Sequence, residues 1–358
     1  MKQARCLRSQ GGIVALSRNK KWLLWLGMLS ILLILVIVAS SWLGYARIGA
    51  SSVLRITFSR MPFVSVEKSW SDTDEEILKV RLSRILIAGI VGAGLALAGV
   101  VFQALLRNPL AEPYILGVSS GGSLGAIIAF ILGISSIRGF STLPFFAFAG
   151  SLSTMFLVYS IARIGGRVPT HTLLLAGVIV NAFFAAIIMF IVSIARASET
   201  QRFIRWSMGN LELVDTRLAM IASTLIFLGG AGLYYYAQAF NLFSLGEESA
   251  AQLGIEVERV KKIAFVLASL ITGAAVSACG IIGFVGLIVP HIVRMTIGAD
   301  HRILMPASVL VGGIFLIGAD TIARTIIAPT QIPVGVVTAI CGGPFFIYLL
   351  RRRRKSFT

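Results

Sequence analysis

The residues whose type and setting could do chemistry are few: three arginines, one aspartate, a short acidic segment and one asparagine. Arg81 and Arg84 open a long apolar stretch, and Arg324 closes another, four residues after Asp320. A guanidinium can form a bidentate pair with a carboxylate, or it can snorkel to lipid headgroups from a helix end. By position alone, snorkelling is the plainer reading for these arginines. An aspartate inside an apolar stretch marks function by default, yet the Asp320–Arg324 spacing also suits a structural i,i+4 pair, and the pair is favoured. Asn181 lies deep in the run LLLAGVIVNAFFAA. It could line a pathway, or bond between helices at about 0.6 kcal/mol, while Ser119, Ser120 and the adjacent glycines could expose backbone to the pathway or simply permit packing. His171, His291 and His301 are scattered, and Asp300-His301-Arg302 suits a partner contact or a helix cap. Cys6, Cys279 and Cys341 form no CxxC pair and no Cys/His cluster, so neither a metal site nor a disulfide framework is expected.

These residues must be positioned by membrane-spanning elements. Only 13% of the 358 residues are charged and 57% are apolar, whereas ordinary domains carry about 25% charged residues. Many apolar runs exceed the ~18 residues that favour a bilayer span. The net charge of +17 does not indicate nucleic acid. Six Lys/Arg lie in residues 1–21 and five in Arg351–Lys355, as expected for the cytoplasmic flanks of spans. No aromatic-interleaved basic groove accompanies them.

Hydropathy predicts an all-α polytopic bundle of ten spans: 22–44, 83–106, 114–133, 143–163, 171–194, 217–238, 263–280, 282–297, 304–323 and 334–350. The first resembles a signal peptide, but its apolar run is too long for one and many spans follow. The seventh and eighth are nearly fused, with Gly280, Gly283 and Gly286 at the join. Two basic tails, 1–21 and 351–358, flank a single membrane domain at 22–350, and placing both inside requires an even number of spans. Loops 107–113, 164–170, 239–262 and 298–303 are then inside, and 45–82, 134–142, 195–216 and 324–333 outside. Gly92, Gly99, Pro109 and Gly117 echo Gly273, Gly280, Pro290 and Gly298 at an offset of 181 residues, a weak repeat.

Residues 81–122 condense this design. Glycines 89, 92, 94, 99 and 117, with many alanines, allow helices in lipid to pack closely. The knot Arg107-Asn108-Pro109 with Glu112-Pro113 reverses the chain, and Gly117–Gly122 begins the next span. In the loop 239–262, Gly246–Gly254 reads as a short helix. Glu247 and Glu248 occupy its first turn, where the helix dipole favours negative charge, and Gly254 supplies a left-handed stop. Ala250 and Ala251 leave room for another backbone. Such a helix suits docking into a partner's groove or is a simple interfacial loop.

Here a resemblance becomes specific. Glu248-Ser-Ala250-Ala251 followed by Gly254 is similar to the Glu-Ala-Ala…Gly coupling motif of ABC importer permeases. RLSR at 81–84, QALLRNPLAEPYILGVSSG at 103–121, GFVGLIVPHIVR at 283–294, DHR at 300–302, Ala319-Asp320 with Ala323-Arg324, and IPVGVVTAICGGPFFIYLL at 332–350 resemble the FecCD-type permeases of iron-siderophore, haem and cobalamin importers. The similarity covers nearly everything after about residue 75. It implies a ten-span permease in the bacterial or archaeal cytoplasmic membrane, working as a dimer, with two cytoplasmic ATPase subunits and an extracytoplasmic binding protein as partners. It assigns Arg81, Arg84 and Arg324 to binding-protein docking, and Glu247, Glu248, Ala250, Ala251 and Gly254 to ATPase coupling. The chain has no phosphate-binding loop, so ATP and magnesium are expected on the partner, no cofactor on this chain, and no enzymatic activity of its own. The expected cargo is an iron chelate, with cobalamin as the alternative. An ion-coupled secondary transporter would need more buried ionisable groups than Asp320. A membrane-embedded enzyme would need convergent His, acid or metal ligands that are missing.

Overall fold

The computed structural model describes residues 2–46, 48–59, 70–134, 136–137, 140–211 and 216–354. Residues 60–69 of the loop 45–82, residues 212–215 of the loop 195–216 and residues 355–358 of the C-terminal tail lie outside them. The described chain is helical almost throughout: α1 Lys2–Trp42, α2 Ala50–Ser59, α3 Asp72–Leu105, α4 Val118–Ile131, α5 Leu143–Ala162, α6 Thr170–Ile194, α7 Ala197–Ser207, α8 Thr216–Tyr235, α9 Ala237–Phe243, α10 Glu247–Gln252, α11 Val257–Cys279, α12 Val285–Thr296, α13 His301–Thr325 and α14 Val334–Arg354. A two-residue strand pair, β1 Ser136–Ile137 and β2 Phe140–Ser141, closes the α4–α5 turn in antiparallel register.

Among the described residues seven helices are long and apolar enough to cross a membrane: the Asn19–Trp42 part of α1, with α3, α5, α6, α8, α11 and α13. Three shorter apolar helices, α4, α12 and the Val334–Tyr348 part of α14, fill the remaining expected spans. Large apolar side chains such as Leu175, Phe183, Phe190, Phe227 and Leu228 are exposed on α6 and α8, as a lipid solvent allows.

The organising element is α3. Hydropathy predicts a span from residue 83, but the helix begins at Asp72. The reason is local: the Ser71 side chain accepts the Asp74 N–H at 3.1 Å, and Asp72, Asp74 and Glu75 sit in the first turn, where both cap and dipole favour them. Its 34 residues make a rod of about 51 Å at 1.5 Å per residue. Ala88, Val91, Leu95, Ala98 and Phe102 on it are buried. Two glycines set its closest crossings. A Cβ on Gly92 would overlap the Gly312 carbonyl of α13, and one on Gly99 would overlap the Gly286 backbone of α12. Dispersion at such small-residue contacts is a main source of helix association in lipid. The echo at 181 residues does not extend to packing, because Gly273 faces Ser151 and Phe148 side chains rather than a crossing backbone.

Two spans are short because each starts from irregular backbone buried within the bundle. Before α4, a 3-10 turn at Pro113–Leu116 ends at Gly117, whose φ is 86°. Before α12, Gly280 and Phe284 both take positive φ, 74° and 69°. Glycine adopts that region freely, whereas Phe284 needs its surroundings to hold it.

Candidate functional site

Three groups of polar residues sit along α3: one near its start, one at the broken connectors, and one beyond its end.

Near the start of α3, the sequence-identified arginines come together with Asp320. Arg84 donates from Nε to Asp320 Oδ1 at 2.8 Å and from Nη1 to Gln331 Oε1 at 2.6 Å. Arg324 lies 3.4 Å from Asp320 Oδ2. The i,i+4 pair read from sequence is therefore present, but Arg84 from another helix is the shorter partner. Arg81 serves a different end: it donates to the carbonyls of Ser41, Trp42 and Ala46 at 2.7, 3.2 and 2.9 Å. Arg324 likewise donates to Leu43 O and Ser40 O at 2.9 and 2.6 Å. These carbonyls belong to the last turn of α1 and the segment after it, where a helix leaves acceptors unsatisfied and carries partial negative charge. Arg81 and Arg324 are thus buried, at 7% and 8% exposure, and neither snorkels. With Gly44, Tyr45, Glu76 and Gln331 the three arginines line a cavity of about 410 Å³.

At the connectors, Asn181 of α6 spends its whole amide on backbone and hydroxyl groups. Its Nδ2 donates to Tyr114 O and Ile115 O, both at 3.0 Å, and its Oδ1 accepts the Ser120 hydroxyl at 2.6 Å. The carbonyls it serves have left the regular helical ladder, and in a membrane they must be satisfied by protein. Ser119 is buried nearby, and its carbonyl accepts the Ser123 hydroxyl at 3.0 Å. Of the two readings of Asn181, bonding between helices is the one the contacts describe.

Sequence reasoning missed the residues that tie the two connectors together. Tyr114 OH donates to Ile282 O and accepts the Ile282 N–H at 2.9 Å, and Glu112 accepts the Phe284 N–H. Gln103 donates to Gly286 O and Leu287 O at 3.3 and 3.4 Å and accepts from Arg294 at 3.1 Å. All of these contacts join positions more than 160 residues apart, so no local spacing signals them.

Beyond the end of α3, α10 forms as expected. Gly254, with φ 87°, terminates it: Ile255 N–H reaches Ala250 O at 3.1 Å and Gly254 N–H reaches Ala251 O at 3.0 Å, the Schellman arrangement. Two details show how its residues are placed in this chain. Ala250 is fully buried against this chain, so only Ala251 of the two alanines offers an open face. The two carboxylates also divide: Glu248 is exposed, while Glu247 turns inward to Lys261 Nζ at 2.7 Å and accepts the Thr170 hydroxyl at 3.3 Å. Exposed Leu253 and the open Gly254 complete the outward face. A groove of about 990 Å³ runs beside it, lined by charges of both signs including Arg107, Arg167, Glu248 and Arg259. Beside α9, Asp300 caps α13, accepting the Arg302 N–H at 3.1 Å, the Asn241 amide at 2.9 Å and an Arg302 ion pair at 2.7 Å. The Arg302 side chain and these other donors hold its carboxyl well below the ordinary carboxylate range.

Among the described residues no group of three His, Cys, Asp or Glu side chains could hold a metal ion.

Residues 31–352 match the model of the FecCD transport family. The cobalamin import system permease protein BtuC of Halobacterium salinarum is 45% identical over 76% of this chain and 73% of that protein. The hemin transport system permease protein HmuU of Yersinia pestis is 38% identical over 92% of this chain and 96% of that protein. The iron(3+)-hydroxamate import permease FhuG of Bacillus subtilis is 34% identical over 94% and 99%. In three dimensions the chain is similar to a solved chain described as a metal-chelate type ABC transporter in an inward-facing conformation, with a TM-score of 0.78, 30% identity, and coverage of 92% and 99%.

Proposed function

The chain belongs to the FecCD transport family, and from that premise we propose that it carries an iron chelate, a siderophore complex or haem, into the cytoplasm. As a permease of the ABC importer class it is a membrane protein and not itself an enzyme. That membership sets aside ion-coupled secondary transport. The observation that carries the specific reading is near full-length similarity to permeases for hemin and iron(3+)-hydroxamate. A second reading, cobalamin, is favoured by the 45% identical relative.

In this reading two copies of the chain form the pathway in the cytoplasmic membrane, with both basic tails on the cytoplasmic side. Two ATPase subunits bind and hydrolyse ATP with magnesium, and each receives α10 through Glu248, Ala251 and Gly254. No cofactor is held by this chain. A binding protein docks at the opposite end, where Arg81, Arg84 and Arg324 outnumber the carboxylates Asp320 and Glu76 three to two. An acidic rim on that protein would complement the surplus. Arg84, whose side chain is 12% exposed, is the most accessible of the three to a partner carboxylate.

The test is reconstitution in proteoliposomes with the ATPase and the binding protein. Loaded binding protein should raise ATP hydrolysis and drive import of one of three labelled probes: a ferric hydroxamate, haem or cobalamin. Import of cobalamin alone would select the second reading. Flat hydrolysis and no import with all three would overturn both.

A further inference from the structure

Lys261, on the first turns of α11, is the cation that the family-level reading leaves without a task. It is buried, at 8% exposure. Its ammonium donates to Glu247 Oε2 of α10 at 2.7 Å and to Val168 O of the α5–α6 connector at 3.0 Å, and lies 3.6 Å from Glu258 Oε1 on its own helix. The acceptors are themselves cross-linked. Glu258 Oε2 accepts the Val168 N–H at 3.1 Å, and Glu247 Oε1 accepts the Thr170 hydroxyl at 3.3 Å. One side chain therefore joins three elements that share no backbone hydrogen-bond ladder: α10, the Val168-Pro169-Thr170 connector, and α11. An ammonium suits this position because its three donors rotate freely to acceptors on different elements.

The connector leads straight into the bundle. Thr170 is the first residue of α6, and α6 runs unbroken to Ile194. Eleven residues along it stands Asn181, which holds the Tyr114 and Ile115 carbonyls at the first broken connector. Tyr114 in turn holds Ile282 at the second. The α10 helix is thus linked by named bonds and one rigid helix to both breaks in the membrane interior.

We propose that Lys261 is a positioning residue that clamps α10 to the α5–α6 connector, so that displacement of α10 by a bound ATPase is delivered to α6 and, through Asn181, to the broken connectors. The proposal rests on the importer reading. Lys261 itself does not line the groove beside α10, although its partners Glu247 and Glu258 do. The outward face of Glu248, Ala251 and Gly254 does not depend on it, so its loss leaves ATPase docking in place and removes the mechanical link. Transport and hydrolysis then separate.

The experiment compares wild type, Lys261→Met, Lys261→Arg and Thr170→Val in proteoliposomes containing the complete importer, scoring probe imported per ATP hydrolysed. The probes are ferric hydroxamate, haem and cobalamin. Lys261→Met should keep the complex assembled and hydrolysis within about twofold of wild type, while import per ATP falls about tenfold, inside the usual range of coupling between sites. Lys261→Arg should restore most of the ratio, because a guanidinium can reach the same acceptors. Thr170→Val removes a single bond and should lower the ratio by about two- to threefold. A wild-type ratio in Lys261→Met overturns the proposal, as does an equal loss of hydrolysis and import. Should Lys261→Met fail to assemble, Thr170→Val decides, and an unchanged ratio there overturns the clamp. A wild-type complex that imports none of the probes overturns the importer reading and the clamp with it. Wild-type import with an unaltered Lys261→Met ratio overturns the clamp alone.

Discussion

The arginine cluster at the start of α3 and the Lys261 cluster beyond its end both fasten helix ends with buried cations, but their charge balances are opposite. At the first, two guanidinium groups, Arg84 and Arg324, flank one carboxylate that is 1% exposed, and a third, Arg81, serves only the α1 carbonyls. At the second, one ammonium faces two carboxylates that are 33% and 37% exposed. The surplus cations of the first are matched by carbonyls at the end of α1, where the helix dipole is negative. The surplus anions of the second are partly open to solvent, and each accepts a further bond from the α5–α6 connector. Equal deletions should therefore cost unequal amounts, and burial of the group left behind, rather than the number of ion pairs, decides the cost.

Four measurements can break or sharpen that contrast. Asp320→Ala should have the largest effect, because Arg84 and Arg324 lose their buried counter-charge. A loss of about 3–5 kcal/mol is expected, read as a lower unfolding midpoint in lipid nanodiscs. A loss below about 1 kcal/mol would mean that Gln331 satisfies Arg84 and the α1 carbonyls satisfy Arg324 without it. Next, Arg81→Leu should cost about 1–3 kcal/mol by stranding its carbonyl acceptors, and amide exchange should quicken around residues 40–46. Lys261→Met should cost about 1 kcal/mol, since Glu247 and Glu258 are already about one-third exposed and only the Val168 carbonyl is left without its partner. A loss as large as that of Asp320→Ala would erase the contrast.

The smallest effect concerns pH. The carboxyl of Asp300 is depressed in the folded protein, so its contribution is fully present above the unfolded carboxylate value and is lost as pH falls through the lower folded value. Stability should therefore decline on acidification below about pH 4, and Asp300→Asn should flatten that part of the profile.

The legible part of the molecule was the part governed by short periods. Apolar runs announced the spans, the Asp320–Arg324 spacing announced one ion pair, and Gly254 announced the end of α10. The illegible part depends on contacts with no local pattern. Arg81 and Arg324 look like boundary arginines in sequence, yet their acceptors are backbone carbonyls around residues 40–46, which no side-chain type reveals. Asn181 looks like a pathway residue because it is polar among apolar neighbours. Its partners are the carbonyls freed where the chain leaves the helical ladder, and that departure was visible only as Pro113 and Gly117. Ala250 looks as open as Ala251 until the rotation of a six-residue helix is known.

Backbone contact holds α3 at two points, Gly92 on Gly312 of α13 and Gly99 on Gly286 of α12. They lie seven residues apart, about 10 Å along the axis at 1.5 Å per residue. A rod pinned twice can neither slide nor pivot about one contact without carrying a neighbour along. Arg81 and Leu105 lie outside the pinned stretch, about 16 Å and about 9 Å from the nearer contact. A displacement at the arginine cluster therefore either moves α3, α12 and α13 as one body or bends α3 between Arg81 and Gly92.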